Sequence, residues 1–126
     1  MRMTERVKEI IELNLANHYI PLVVQADKPR TFPMYFARII GEDVIAFPTT
    51  GATGIARVLE IARPASVLVA DRDGGYEAYL IEGSARYVTD EFDYQLVAEM
   101  RNEAPGFPIH GAVVFRVESV HLVPPP

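Results

Sequence analysis

The spacing of the β-rich runs in the first half of the chain constrains its fold most strongly. "YIPLVVQAD" (19–27) and "TFPMYFARII" (31–40) are joined through "DKPR", and "GED" then leads into a third run, "VIAFP" (44–48). Links this short suit hairpins, whereas a parallel crossover takes a dozen residues or more and usually a helix. The three runs are therefore expected to be antiparallel strands. Pro21 and Pro33 lack the N–H that a ladder needs, which assigns them to edges or bulges.

Helical periodicity frames these strands. Val7, Ile10, Ile11, Asn14 and Leu15 share one face of a helix over residues 4–16, with Thr4 placed to cap it and Glu5 in the first turn. Ile55, Val58, Leu59 and Ala62 recur at i, i+3, i+4 and i+7 across residues 53–63. The N-terminus of that short helix falls at Thr53 or Gly54, and Pro64 stops it. "ASVLVAD" then reads as a buried strand, "RDGG" as a turn and "YEAYLIEGSARYV" as a long strand. Thr89 or Asp90 is placed to cap a helix reaching about Asn102, with Glu91 and Asp93 near its positive end, and "APGFP" terminates it. "AVVFRVESVHLV" is the last strand and "PPP" (124–126) an exposed tail. The order α-β-β-β-α-β-β-α-β predicts an antiparallel barrel with helices packed outside it. At 126 residues the chain is expected to form one domain, 1–126, around one core.

Composition removes several function classes. Hydrophobic residues make up 49% and charged residues 23%, which is ordinary globular usage. The net charge is −5 and no basic run occurs, so a nucleic-acid partner is disfavoured. Cysteine is absent, which excludes disulfides, thiolate metal sites and cysteine nucleophiles and fits a reducing cytoplasm. "MRMTERVKEIIELNLA" is broken by Glu5, Glu9 and Glu12, and no segment approaches the roughly 18 apolar residues of a span, so no membrane association is expected. His18, His110 and His121 form no His-x-x-x-His pair, and a metal site is not expected. None of Ser66, Ser84 and Ser119 sits in a nucleophile elbow, and the carboxylates of "DEFDY" read as first-turn residues of a solvated helix. No catalytic acid, base or nucleophile is assigned.

Two stretches could carry binding. "FPTTGATGIARVLEIARP" (47–64) runs from an apolar segment through small residues into a helix. Unpaired N–H groups at a helix start favour an anion, and Thr49, Thr50, Thr53 and Arg57 would add hydroxyls and a charge. The same residues also read as a turn with Thr53 as an ordinary N-cap, and a P-loop is excluded because neither glycine is followed by Lys and Ser/Thr at the required spacing. In "TFPMYFARII", alternation sends Phe32, Met34 and Phe36 to one face and Tyr35 to the other. One set is core, or a planar ring lies along the strand.

The element order, with "PLVVQADKPRTFPMYFARI", "DVIAFPTT", "ARVLEIARPASVLVAD" and above all "YLIEGSARYVTDEFDYQLVAEM", resembles the pyridoxamine 5′-phosphate oxidase-like FMN-binding split-barrel superfamily, in particular its small FMN-binding proteins. The resemblance spans about residues 5–122 and rests on order and spacing rather than on a strict signature. It implies a mainly β fold, a six-stranded antiparallel split β-barrel of Greek-key type, and a homodimer with the cofactor groove at the subunit interface. It implies FMN contacts from Thr31, Met34 and Tyr35, then Phe47, Pro48, Thr49 and Thr50, and a phosphate held near Thr53 and Arg57, with backbone N–H groups near Pro48 to Thr50 tuning the ring. Where many members carry an Arg or Lys pair, often as Ser-Arg-Lys, this chain reads "GATGIAR", leaving Arg57 as the only nearby cation. The C-terminal arginine motif of true pyridoxamine phosphate oxidases is not visible, so vitamin B6 oxidation is not expected. The activity implied is electron transfer or a flavin-dependent oxidoreductase reaction with a small-molecule partner. The alternative is a non-enzymatic split-barrel binding or stress protein that lacks FMN or holds a deazaflavin or haem.

Overall fold

A computed structural model describes residues 3–50 and 54–126. Its first element is helix α1 (Glu5–Asn17), in which Thr4 accepts a hydrogen bond from the Val7 N–H at 3.2 Å and so caps the helix as its sequence predicts. Strands β1 (Ile20–Gln25), β2 (Pro29–Met34), β3 (Arg38–Ile40) and β4 (Val44–Thr49) follow. A single-turn helix α2 (Ile55–Val58) leads to β5 (Arg63–Asp71) and β6 (Glu77–Val88); helix α3 (Tyr94–Glu103) leads to β7 (Gly111–Val123). All seven strands form one antiparallel sheet in the order β2-β1-β5-β6-β7-β4-β3, which curls without closing.

The sheet has seven strands where six are expected, because "TFPMYFARII" is two strands. Its first half pairs with β1, from Thr31 opposite Val23 to Met34 opposite Ile20, and its second half pairs with β4, from Arg38 opposite Ala46 to Ile40 opposite Val44. The chain therefore passes from one end of the sheet to the other across residues 35–37. Tyr35 and Phe36, at the break itself, are strong strand formers, so composition alone does not mark it.

Two further elements differ from expectation. The helix predicted over residues 53–63 is four residues long in the described part, and Pro64 lies inside β5 opposite Ser84. The Arg63 Nε donates to the Val58 carbonyl at 2.7 Å and ends the helix early. Its proline is tolerated because the β1 ladder starts only at Ala65. In α3 the cap is Asp93, which accepts from the Leu96 N–H at 3.1 Å, rather than Thr89 or Asp90. The Thr89 carbonyl accepts instead from the N–H groups of Phe92 and Asp93, both at 3.0 Å, which makes a turn ahead of the helix.

The main core fills the curl of the sheet. Phe47 and Phe115 are fully buried there with Ile45, Ile81 and Val113, and α1 closes one side with Val7, Ile10 and Ile11. A second cluster seats Leu96, Val97 and Met100 of α3 on Ala46, Val88 and Ala112. β4 is thus apolar on both faces, which is why "VIAFP" is continuous rather than alternating. Burying each large side chain contributes about 1.5–3 kcal/mol.

Polar contacts fix α1 to the sheet. Asn14, on the helix's apolar face, donates from Nδ2 to the Ala70 carbonyl at 2.6 Å and accepts from the Ala70 N–H at 3.0 Å. Since β1 pairs with β5 only from Ala65 to Val67, this amide stands in for the peptide of a missing neighbour. Arg6 donates to Asp71 at 2.7 Å, to Glu77 at 3.0 Å and to Glu9 at 2.6 Å, while the Tyr79 hydroxyl donates to Glu77. The Arg6 guanidinium holds the Asp71 carboxyl below its usual range, and Tyr79 followed by Arg6 does the same for Glu77.

A carboxyl with a depressed folded-state pKa stabilises the fold above its unfolded pKa, about 4, and that contribution is lost as pH falls through the folded value. The melting-temperature gap between the native chain and Arg6→Gln is therefore expected to be widest near neutrality and to close towards pH ~3. A gap that stays constant over that range would refute this account of the cluster.

Candidate functional site

The break in "TFPMYFARII" creates the site. Tyr35 and Phe36 are both exposed, at 53% and 43%, because the β1–β2 ladder ends at Met34 and the β3–β4 ladder begins only at Arg38, so neither pairing holds them. Across from them lie Pro48 at the end of β4, Leu15 of α1 and Met100 of α3, and together these residues bound a cleft of about 300 Å³. The rings on its wall are braced from behind: Phe36 meets Phe107 edge-on with centroids 4.9 Å apart, and Tyr35 meets Tyr19 at 6.0 Å.

Charge is confined to one side. Arg38 bonds Glu99 and lies 3.3 Å from Glu103, two carboxylates one turn apart on α3. Glu99 raises the Arg38 pKa, and Arg38 lowers that of Glu99, so both stay ionised. The pair is half-exposed and so contributes little to stability, and with Glu103 it sets one guanidinium against two carboxylates at the cleft.

The residues expected to hold a cofactor fall into separate groups. Tyr35 and Pro48 are brought together on the cleft. Met34 and Phe47 point into the core, Phe47 fully buried, so a ligand could reach Phe47 only at its backbone. Thr31 is exposed on the edge strand β2 opposite Val23 and is not on the cleft wall. Thr50 is half-buried, and Thr53 lies outside the described residues. Arg57 is exposed on α2 and makes no ion pair among the described residues. The N-cap of α2 is Gly54, at φ 77°, with no side-chain capping bond. One helical turn carries little macrodipole, so at this end attraction for an anion falls mainly to Arg57.

Thr49 has a role that its sequence does not disclose. It is 6% exposed, and its hydroxyl lies 3.0 Å from the Tyr87 hydroxyl, which lies 2.9 Å from His110 Nδ1. The His110 N–H also donates to the Thr49 carbonyl at 2.8 Å. Tyr87 and His110 are brought to Thr49 by the β6–β7–β4 register, in which Tyr87 opposes Val113 and Thr49 opposes Gly111. No spacing in the sequence signals that contact.

The open, curled antiparallel sheet with three helices defines a split barrel, the fold of pyridoxamine 5′-phosphate oxidase-like and FMN-binding proteins. The sequence itself matches no family model and no curated protein. Among solved structures, HupZ of Group A Streptococcus is similar with a TM-score of 0.77 at 14% identity, over 96% of this chain and 99% of that one. A candidate pyridoxamine 5′-phosphate oxidase of Lactobacillus delbrueckii gives 0.70 at 17% identity, over 95% and 93% of the two chains. An FMN-binding protein of Syntrophomonas wolfei gives 0.56 at 17% identity, over 93% and 88%.

Proposed function

We propose that the protein is a homodimeric flavin-binding split-barrel protein that holds FMN and acts in electron transfer or as a flavin-dependent oxidoreductase. The observation that carries this reading is the cleft in which Tyr35 and Pro48 meet, within a fold whose relatives include an FMN-binding protein. At about 300 Å³ the cleft is at the lower limit of small-molecule sites, large enough for a ring system and too small to enclose a whole dinucleotide-like cofactor. A second chain lying across it would supply the missing cover, which is the reason for the dimer.

The residues suit the ring better than the phosphate. Tyr35 and Phe36 offer flat apolar walls, and Pro48, which has no N–H, offers an apolar edge. Thr49 stands opposite Gly111 with the parity of the Val117 N–H to Asp43 carbonyl bond, so its N–H is turned to β7, and a ligand at the end of β4 meets the apolar Pro48 edge. For the phosphate, Arg57 is the nearest cation along the chain beyond Pro48. Among the described residues no imidazole lines the cleft and Glu103 is its one carboxylate, within reach of Arg38, so the chain contributes orientation and exclusion of water rather than proton transfer. When bound, the isoalloxazine supplies the redox chemistry.

The test is a titration of the purified chain with FMN, followed by absorbance and by size-exclusion chromatography. One FMN per chain, a flavin band that bleaches on reduction and a dimeric elution volume are expected. A colourless protein that ignores added FMN would overturn the reading. A Soret band on addition of haemin would redirect it to haem, with His110 and His121 as the first ligands to replace.

A further inference from the structure

A second cavity, of about 390 Å³, lies between α2 with the loop after it and the end of β6 with the turn after it. Its floor is apolar, made by Ala56 and by Leu59, which is 2% exposed. Tyr87 forms one wall, and its ring is held in place by the bonds of its hydroxyl to Thr49 and His110. Phe92 forms another and is 79% exposed, more than any other large hydrophobic side chain among the described residues. A ring left this open beside a cavity is suited to stack on a ligand.

Two charges of opposite sign line the same cavity, Glu60 on the α2 side and Arg86 on the β6 side. They are not paired with each other, and neither makes an ion pair or side-chain hydrogen bond with any other described residue. A carboxylate and a guanidinium that line one cavity without pairing are complementary to a molecule that carries both charges itself. The guanidinium takes the ligand's carboxylate in a two-pronged contact, and the carboxylate takes its ammonium.

We propose that this cavity binds a zwitterionic α-amino acid with an aromatic side chain: its carboxylate on Arg86, its ammonium on Glu60 and its ring between Tyr87 and Phe92. None of these residues lines the cleft at Tyr35 and Pro48, but Ala56 adjoins Arg57 on α2 and Tyr87 bonds Thr49, both of which the flavin reading uses, so the amino acid is titrated before any flavin is added.

L-Phenylalanine is the probe, with 3-phenylpropionate lacking the ammonium and 2-phenylethylamine lacking the carboxylate. Calorimetric titration of the chain without added flavin is expected to give one saturable site for L-phenylalanine. Each analogue, and each of Arg86→Gln and Glu60→Gln, is expected to weaken binding by about tenfold. Phe92→Ala is expected to weaken all three probes alike. All three positions are exposed, so the variants should fold, and matching circular dichroism spectra check that they do. The proposal is overturned if L-phenylalanine does not saturate, if the analogues bind as well, or if the charge variants bind unchanged. FMN binding in the same preparations reports separately on the flavin cleft.

Discussion

Replacing Gly83 with alanine is expected to cost at least about 3 kcal/mol of stability and to lower the melting temperature by roughly 10 °C or more. A Cβ at this position would stand 1.9 Å from the Arg116 carbonyl oxygen, 2.9 Å from its carbon and 3.2 Å from the Glu118 nitrogen. All three atoms belong to the backbone, so no rotamer change relieves the clash. The close approach comes from a bulge: Glu82 opposes Ser119 but Gly83 opposes Val117, which leaves Glu118 as the extra residue of β7. Relief would require β7 to back away from β6, and these are two central strands of the sheet. A denaturation midpoint for Gly83→Ala matching that of the native chain would mean that β7 slides freely at the bulge, contrary to the register described.

The second large effect concerns the flavin reading. Arg57→Ala is expected to weaken FMN by about tenfold to a hundredfold, the worth of roughly 1.5–3 kcal/mol for hydrogen bonds to a charged group. Riboflavin, which has the same ring and no phosphate, should lose little. Arg57 is exposed and has no ion pair among the described residues, so its removal should leave the fold unaffected. An equal loss for both ligands would place the phosphate elsewhere, and no loss for either would remove Arg57 from the site.

The sequence disclosed local features well and contacts poorly. Thr4, the apolar face of α1 and the turns around Gly41 and Gly75 follow from residue chemistry within a few positions, and the structure has them where that chemistry puts them. The early end of α2 has a local part, Arg63 taking the Val58 carbonyl five positions back, and a long-range part, the pairing of Arg63 and Pro64 with Ala85 and Ser84 of β6. The split at Tyr35 depends on where the β1–β2 ladder ends and the β3–β4 ladder begins, which nothing inside "TFPMYFARII" records. The same split brings Tyr35 to Pro48, so the cleft wall was legible as residues but not as a meeting. Nothing near Tyr87 in the sequence marks it, because its importance comes from Thr49 and His110, 38 and 23 positions away.

The position of β2 at the end of the sheet bears on how the chain behaves among its own copies. An unpaired strand edge normally offers a row of N–H and C=O groups on which another chain can build. Here Pro21 stands directly opposite Pro33, and since neither can donate, the pair must be of the non-hydrogen-bonded kind, with the Pro33 nitrogen facing outward. Pro29 and Thr31 share that parity, so of three outward nitrogens only that of Thr31 carries a hydrogen. At the other end of the sheet, β3 is three residues long. The same open sheet that leaves a cleft for a ligand is therefore poorly equipped to recruit a foreign strand, and the chain is protected from fibril-like growth at the margin where an unclosed barrel is most vulnerable.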